Sequence, residues 1–321
     1  MESLRGQVGR VTQYWLATML QKAVLATIAY YDALEYPVTE FEVWKHLLTP
    51  EGEGALAPVS LLAVIQSLNE LAATGRIIAT DGFYTLAERQ KLIVERLRLE
   101  KEAVTKLKRA SRLMRWCGWV PFVRMLAITG SLSMKRGDKG SDWDFFVVLS
   151  DGAIWTGRLL LTAWLELLGQ RRHGKEVRDR ACLNCYVTDR HMEIPLRDLY
   201  SSHEYRFMYP VIGLSTFRSF EIANRWIHRY RPHFSLTEIG PLFARPFSSQ
   251  LLRLQRFLER LFPLAWLEPR LAQFQKKKIE RNPKTQIVGS FIEASDQALI
   301  FLPEPKGPQI FERFKERLSH L

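Results

Sequence analysis

The sequence predicts an α+β fold, and three observations carry that expectation. A helical first quarter closes on an Asp81-Gly82 hairpin. Two apolar strands, VRMLAITG and DWDFFVVL, flank a polar loop around residue 136. Beyond about residue 200 the chain returns to a mostly helical pattern. Of the 321 residues 47% are hydrophobic, which allows two or three domains with a buried core.

The elements follow in order. Residues 15–34 place Leu20, Val24, Ile28 and Tyr31 at helical spacing. Tyr36-Pro37 stops that helix, because the residue before a proline is pushed out of the helical region. Thr39 then stands as an N-cap with Glu42 three residues on, the spacing of a capping box. Phe41, Trp44 and Leu48 predict the apolar face of a second short helix. After a Gly/Pro/Ala-rich link, Ser60 caps a third helix with Leu61, Ile65, Leu68 and Leu71 on one face, and Gly75 ends it. In RIIATDGFYTL two short β runs meet at Asp81-Gly82, residues that tolerate the positive φ of a tight turn.

Three helices followed by a hairpin resemble a winged helix-turn-helix module over residues 1–88. Its third helix offers Gln66, Asn69 and Glu70 but no Arg or Lys before Arg76, whereas groove recognition leans on cations. Nucleic-acid binding and protein contact both stay open for it. Residues 89–118 read as a basic helical connector. From Val120 the pattern changes to strand, glycine turn and strand; Ile154 to Gln170 reads as a helix and ACLNCYV as a third strand. Residues 200–321 read as a mostly helical C-terminal region broken at Pro241, Pro246, Pro263 and Pro269.

Charge narrows the partners. The formal net charge is +12, which favours polyanions: nucleic acid, nucleoside triphosphates or an anionic membrane surface. It is clumped in 89–115, with ten cations including Arg96, Lys106, Arg109, Arg112 and Arg115 against three glutamates, and again at Lys276-Lys277-Lys278 with Arg281 and Lys284. No apolar run is long enough for a membrane span and the opening residues do not read as a signal peptide. Three cysteines make no disulfide framework, so a cytoplasmic location is expected.

The chemistry concentrates in AITGSLSMKRGDKGSDWDFFVV. Gly130-Ser131 ends one strand and Asp142-Trp143-Asp144 enters the next. Carboxylates two apart on a strand share a face, because side chains alternate, and as hard oxygen donors they suit magnesium. Two such ions clamp the attacking and leaving oxygens of an in-line displacement at phosphorus. Gly130 permits close backbone approach to a triphosphate, and the amide and hydroxyl of Ser131 can donate to it. Lys135, Arg136 and Lys139 are candidates for neutralising phosphate charge.

This pattern resembles the nucleotidyltransferase superfamily related to DNA polymerase beta, over about 70 residues of the segment 119–199. The resemblance implies that Gly130 and Ser131 hold nucleotide phosphates and that Asp142 and Asp144 bind Mg2+ in a two-metal site. The implied activity moves a nucleoside monophosphate from a triphosphate to an acceptor, which the sequence leaves open between nucleic acid, protein and small molecule. Active members usually carry a third acidic residue on the third strand; Asn184 stands there instead, with Asp179, Asp189 and Glu193 as nearby candidates. That substitution keeps open an alternative, a catalytically impaired nucleotide sensor or nucleic-acid-binding regulator. The segment AYYDALEYPVTEFEVWKHLL, taken with the Gly-Ser/Asp-x-Asp core, resembles uncharacterised bacterial proteins that fuse the two domains.

Other signals read as structural. Cys182 and Cys185, three apart on a strand, face opposite ways and read as buried small residues rather than a zinc or redox pair. Gly289-Ser290 reads as a loop, and Trp143, between the aspartates, as core. His173, His191 and His203 fit no ligand or triad spacing.

Overall fold

In the computed structural model, residues 2–49, 58–233 and 249–321 are described. Helix α1 (Glu2–Ala33) buries Leu20, Val24, Ile28 and Tyr31, the four positions that helical spacing selects. Ala23, Ala29 and Tyr30 are buried too, so its last turns are enclosed almost all round. A two-residue strand, β1 (Val38–Thr39), leads into α2 (Glu40–Lys45). Its capping box is formed: Glu42 N donates to Thr39 Oγ1 at 3.3 Å and Thr39 N donates to the Glu42 carboxylate at 2.9 Å. The expected face of α2 needs correction. Phe41 is 48% exposed and Leu48 lies beyond the helix, while Val43 fills the core. A helix of under two turns is oriented by its cap and its neighbours more than by its own periodicity.

The Gly/Pro/Ala-rich link lies largely outside the described residues. Helix α3 (Leu61–Ala73) starts at the Ser60 cap and ends before Gly75, whose φ is +73°. Val64, Leu68 and Leu71 are its buried apolar side chains, with Leu61 and Ile65 at the margin. Strands β2 (Ile78–Thr80) and β3 (Phe83–Thr85) turn at Asp81 and Gly82, both with positive φ, and β1 adds to β3 to complete a three-stranded antiparallel sheet.

Helix α4 (Lys91–Cys117) runs unbroken through the basic stretch. Its cations are not all solvated, because Arg96 and Lys106 are buried. Arg96 holds the Glu42 carboxylate with two contacts of 2.6 and 2.8 Å and stacks over Tyr36. Lys106 reaches Asp179 at 3.1 Å.

The main sheet contains β4 (Val123–Ile128), β5 (Trp143–Leu149), β6 (Ala181–Thr188), β7 (Tyr209–Ile212), β8 (Phe291–Ala294) and β9 (Ala298–Leu302), in the order β7-β4-β5-β6-β9-β8. Only β5 and β6 are parallel, and α6 (Ile154–Leu167) makes the crossover that a parallel pair requires. The architecture is therefore α+β with a mixed sheet. Three of its six strands lie beyond residue 200, where a mostly helical region was expected. Each is four or five residues long, too short for alternation to announce it. The helices of that region are α7 (Leu199–Arg206), α8 (Leu214–Ala223), α9 (Ser249–Arg260), α10 (Leu264–Glu280) and α11 (Gly307–Ser319). Pro263 caps α10, whereas Pro269 sits inside it and does not end it; Pro241 and Pro246 lie outside the described residues.

Alternation on β5 builds both faces of the sheet. Trp143, Phe145, Val147 and Leu149 pack under α4, α6 and α10, and Phe146 and Val148 pack against Phe217 and Phe220 of α8. The N-terminal module is tied in by Phe314 of α11, which joins its core, and by Asp32, which takes Arg89 at 2.9 Å and Arg317 at 2.8 Å. Among the described residues no helix is long and apolar enough to cross a membrane.

Candidate metal centre

The site is built where β4 and β5 end side by side. Thr129 N donates to Asp144 O at 2.9 Å, which fixes the end of β4 against Asp144. The chain then turns at Gly130, with φ of +66°, into the single turn α5 (Gly130–Ser133). This turn lies directly on the Asp144 side chain: a Cβ on Gly130 would stand 2.4 Å from Asp144 Oδ2. Only glycine gives both the backbone angle and the approach. The bend and the carboxylate that the sequence singled out are thus in contact. Ser131 is partly buried beside them, and its carbonyl accepts from Arg136 N at 2.8 Å.

Asp142 and Asp144 also come together. One oxygen from each, with Cys182 Sγ, forms a group whose members all lie within 4.8 Å of one another. Trp143 between them is buried on the opposite face, as alternation requires. Cys182 enters because β6 pairs Cys182 with Asp144 and then slips register by one residue before Cys185 meets Phe146. It is therefore not only a buried small residue. Cys185 is buried as expected, but the slip leaves it on the same face of the sheet as Cys182, opposite Trp143, and not on the opposite face that strict alternation predicted. Asn184 Nδ2 donates to Asp144 Oδ1 at 3.2 Å, so the asparagine does occupy the place beside the acidic pair.

The expected third carboxylates lie elsewhere. Asp179 is held by Lys106 and Arg109, Asp189 caps the amide of Asp151 at 2.9 Å, and Glu193 pairs with Arg197. The acidic side chain that senses the pair is Glu204 of α7, partly buried, which accepts from the Tyr200 hydroxyl at 3.1 Å. Burial pushes its carboxyl up to about 7, with Asp144 adding to the rise and Lys306 opposing it. Asp144 is likewise pushed up to about 6, chiefly by burial and then by Asp142, against Lys306 and Arg172. Cys182 is pushed up to about 12 by burial and by the two aspartates, so it is a neutral thiol.

Of the three loop cations, Lys135 and Arg136 are engaged with partners other than the acidic pair. Lys135 is engaged with Glu100 at 2.8 Å, and Arg136 donates to Leu34 O and faces Glu35. Lys139 is exposed. The cation in contact with the group is Arg172, whose Nη1 meets Asp142 Oδ2 at 2.6 Å and Cys182 Sγ at 3.5 Å. Its position comes from an isolated bridge between Arg171 and Ala181, a tertiary pairing that no local pattern announces.

The donor set fits a divalent cation at its oxygens. Asp144 is a half-enclosed carboxylate beside a second one, met by the neutral amide of Asn184 and the neutral thiol of Cys182, and such a pair gains from added positive charge. The thiol is softer than magnesium prefers, so Asp142 and Asp144 are the residues that would hold it. No family model, curated protein or solved structure matches the chain.

Proposed function

We propose that the protein is a metal-dependent nucleotidyltransferase of the DNA polymerase beta type, moving a nucleoside monophosphate from a triphosphate to an acceptor. The carrying observation is the seating of the Gly130 bend on Asp144, with the Asp142 carboxylate in the same group. In this reading β4, β5 and β6 with α5 form the nucleotidyltransferase core, and the three helices and hairpin before α4 form a winged-helix module.

Asp142 and Asp144 would hold Mg2+, which when bound neutralises triphosphate charge and activates the attacking oxygen. The side chains supply the rest. The bare backbone at Gly130 lets phosphate oxygens approach, and the Ser131 hydroxyl and amide donate to them. Arg172 and Lys306 bring positive charge to the same group. Glu204, with its affinity for protons raised to near neutrality, is the candidate to take the proton of the acceptor hydroxyl.

The test is label transfer from an α-labelled triphosphate in the presence of Mg2+. Asp142→Ala/Asp144→Ala should abolish it, and a double variant that keeps full activity refutes the assignment. A second reading, a nucleotide sensor without turnover, draws on the Arg172–Asp142 pair and on Asn184, since both leave the pair with less acidic charge than a two-metal site uses. It predicts triphosphate binding by calorimetry with no transfer to any acceptor.

A further inference from the structure

The face of the sheet opposite the acidic pair carries a concavity. A cleft of about 490 Å3 opens between α4 and the start of β5 and β6, lined by Arg109, Arg112, Trp116, Trp143 and Arg180, with Asp179 on its wall. Its volume is that of a small-ligand site. Asp179 is its one carboxylate, and that charge is matched by Lys106 at 3.1 Å and Arg109 at 3.6 Å, which leaves the cleft positive. The floor holds the buried Trp143, whose indole N–H has no hydrogen-bond partner. The rim holds Trp116, 64% exposed although it lies next to the buried Cys117.

The cleft continues along one exposed face of α4. Lys101, Lys108, Arg112, Arg115 and Trp116 fall on that face, the last four on consecutive turns, and no described carboxylate forms an ion pair with any of these four cations. Cations spaced along a track suit a phosphate backbone, and an exposed indole flanked by guanidinium groups suits an unstacked base. A duplex offers no free base faces to Trp116. The same face of α4 also exposes Val94 and Leu97 nearer its start, but the site at Trp116 is concave and sets Arg109, Arg112 and Arg180 around the indole, whereas an anionic membrane would meet a flat surface of apolar side chains to insert.

We propose that this cleft and the adjoining face of α4 bind single-stranded nucleic acid, with a base stacked on Trp116 and backbone phosphates along Lys108, Arg112 and Arg115. The site lies across the sheet from Asp142 and Asp144 and does not depend on transferase activity.

The test is fluorescence anisotropy of the full-length protein with labelled uridine RNA and thymidine DNA strands of about 12 nucleotides. Affinity should fall steeply between about 50 and 200 mM salt. Trp116→Ala should weaken binding at least about fivefold, the lower end for a lost base stack. Arg112→Gln/Arg115→Gln should weaken it further and flatten the salt slope. Lys277→Gln/Lys278→Gln, an equal loss of charge on α10, should leave binding as in the wild type. Preference for one strand chemistry would name the sugar the cleft accepts. Equal weakening by both lysine and arginine double variants, no effect of Trp116→Ala, or association with phosphatidylserine vesicles but with neither strand would each overturn the proposal.

Discussion

At the scale of single residues, the site rests on the contact between Gly130 and Asp144. A methyl at Gly130 would meet Asp144 Oδ2 at 2.4 Å on a backbone with φ of +66°. Gly130→Ala should therefore displace the carboxylate and destabilise the fold by about 1–3 kcal/mol, measured by denaturant unfolding, and remove label transfer with it. The raised carboxyl of Asp144 gives a pH signature. In the folded protein it holds its proton to about 6, against an ordinary value of 3.8, so burial favours the neutral acid. Its stability contribution is intact below about pH 4 and is lost as pH rises through 6; Glu204 acts in the same sense up to about 7. Metal-free wild type should thus lose stability relative to Asp144→Asn between pH 4 and 7, by on the order of 2 kcal/mol. Parallel pH profiles for the two proteins would contradict this. Gly130, Ser131, Asp142 and Asp144 were legible because strand alternation and a glycine turn are local facts. Cys182, Arg172 and Glu204 were not: a register slip, an isolated bridge and the placement of α7 bring them in.

At the scale of elements, local chemistry announced the caps and the hairpin. Thr39 with Glu42, Ser60, and Asp81 with Gly82 each act through neighbours within three residues, and all three formed. The three short strands after residue 200 carry no such signal, since β7, β8 and β9 are strands only because β4 and β6 offer them edges. Helix α4 shows the same limit for charge. Its sequence reads as a basic helical connector, yet Arg96 is buried on the Glu42 carboxylate and locks α4 to the capping box of α2. Glu42→Gln leaves that guanidinium buried without its counter-charge, so it should cost about 3 kcal/mol in thermal or denaturant unfolding. Glu95→Gln, at an exposed pair with Arg98, should cost well under about 1 kcal/mol. Equal costs would show that burial of Arg96 does not matter.

At the scale of the whole molecule, the N-terminal module borrows its core from the far end of the chain. Phe314 of α11 packs into it, Ile310 and Phe311 lie against it, and Arg317 pairs with the buried Asp32. A fragment of residues 2–88 should accordingly show no cooperative unfolding, whereas the full chain should; a stable, cooperative fragment would contradict that dependence. The sequence pattern placed this module at one end and the acidic pair in the middle, but periodicity carries no information about which distant helix closes a core. The central claim is that Asp142 and Asp144, under the Gly130 bend, hold a divalent cation with a nucleoside triphosphate. The most direct measurement is Mn2+ binding followed by loss of the free-ion electron paramagnetic resonance signal, with a non-hydrolysable triphosphate present. Wild type should bind Mn2+ more tightly than the triphosphate does alone, and Asp142→Asn/Asp144→Asn should not; equal Mn2+ binding by both proteins would contradict the account.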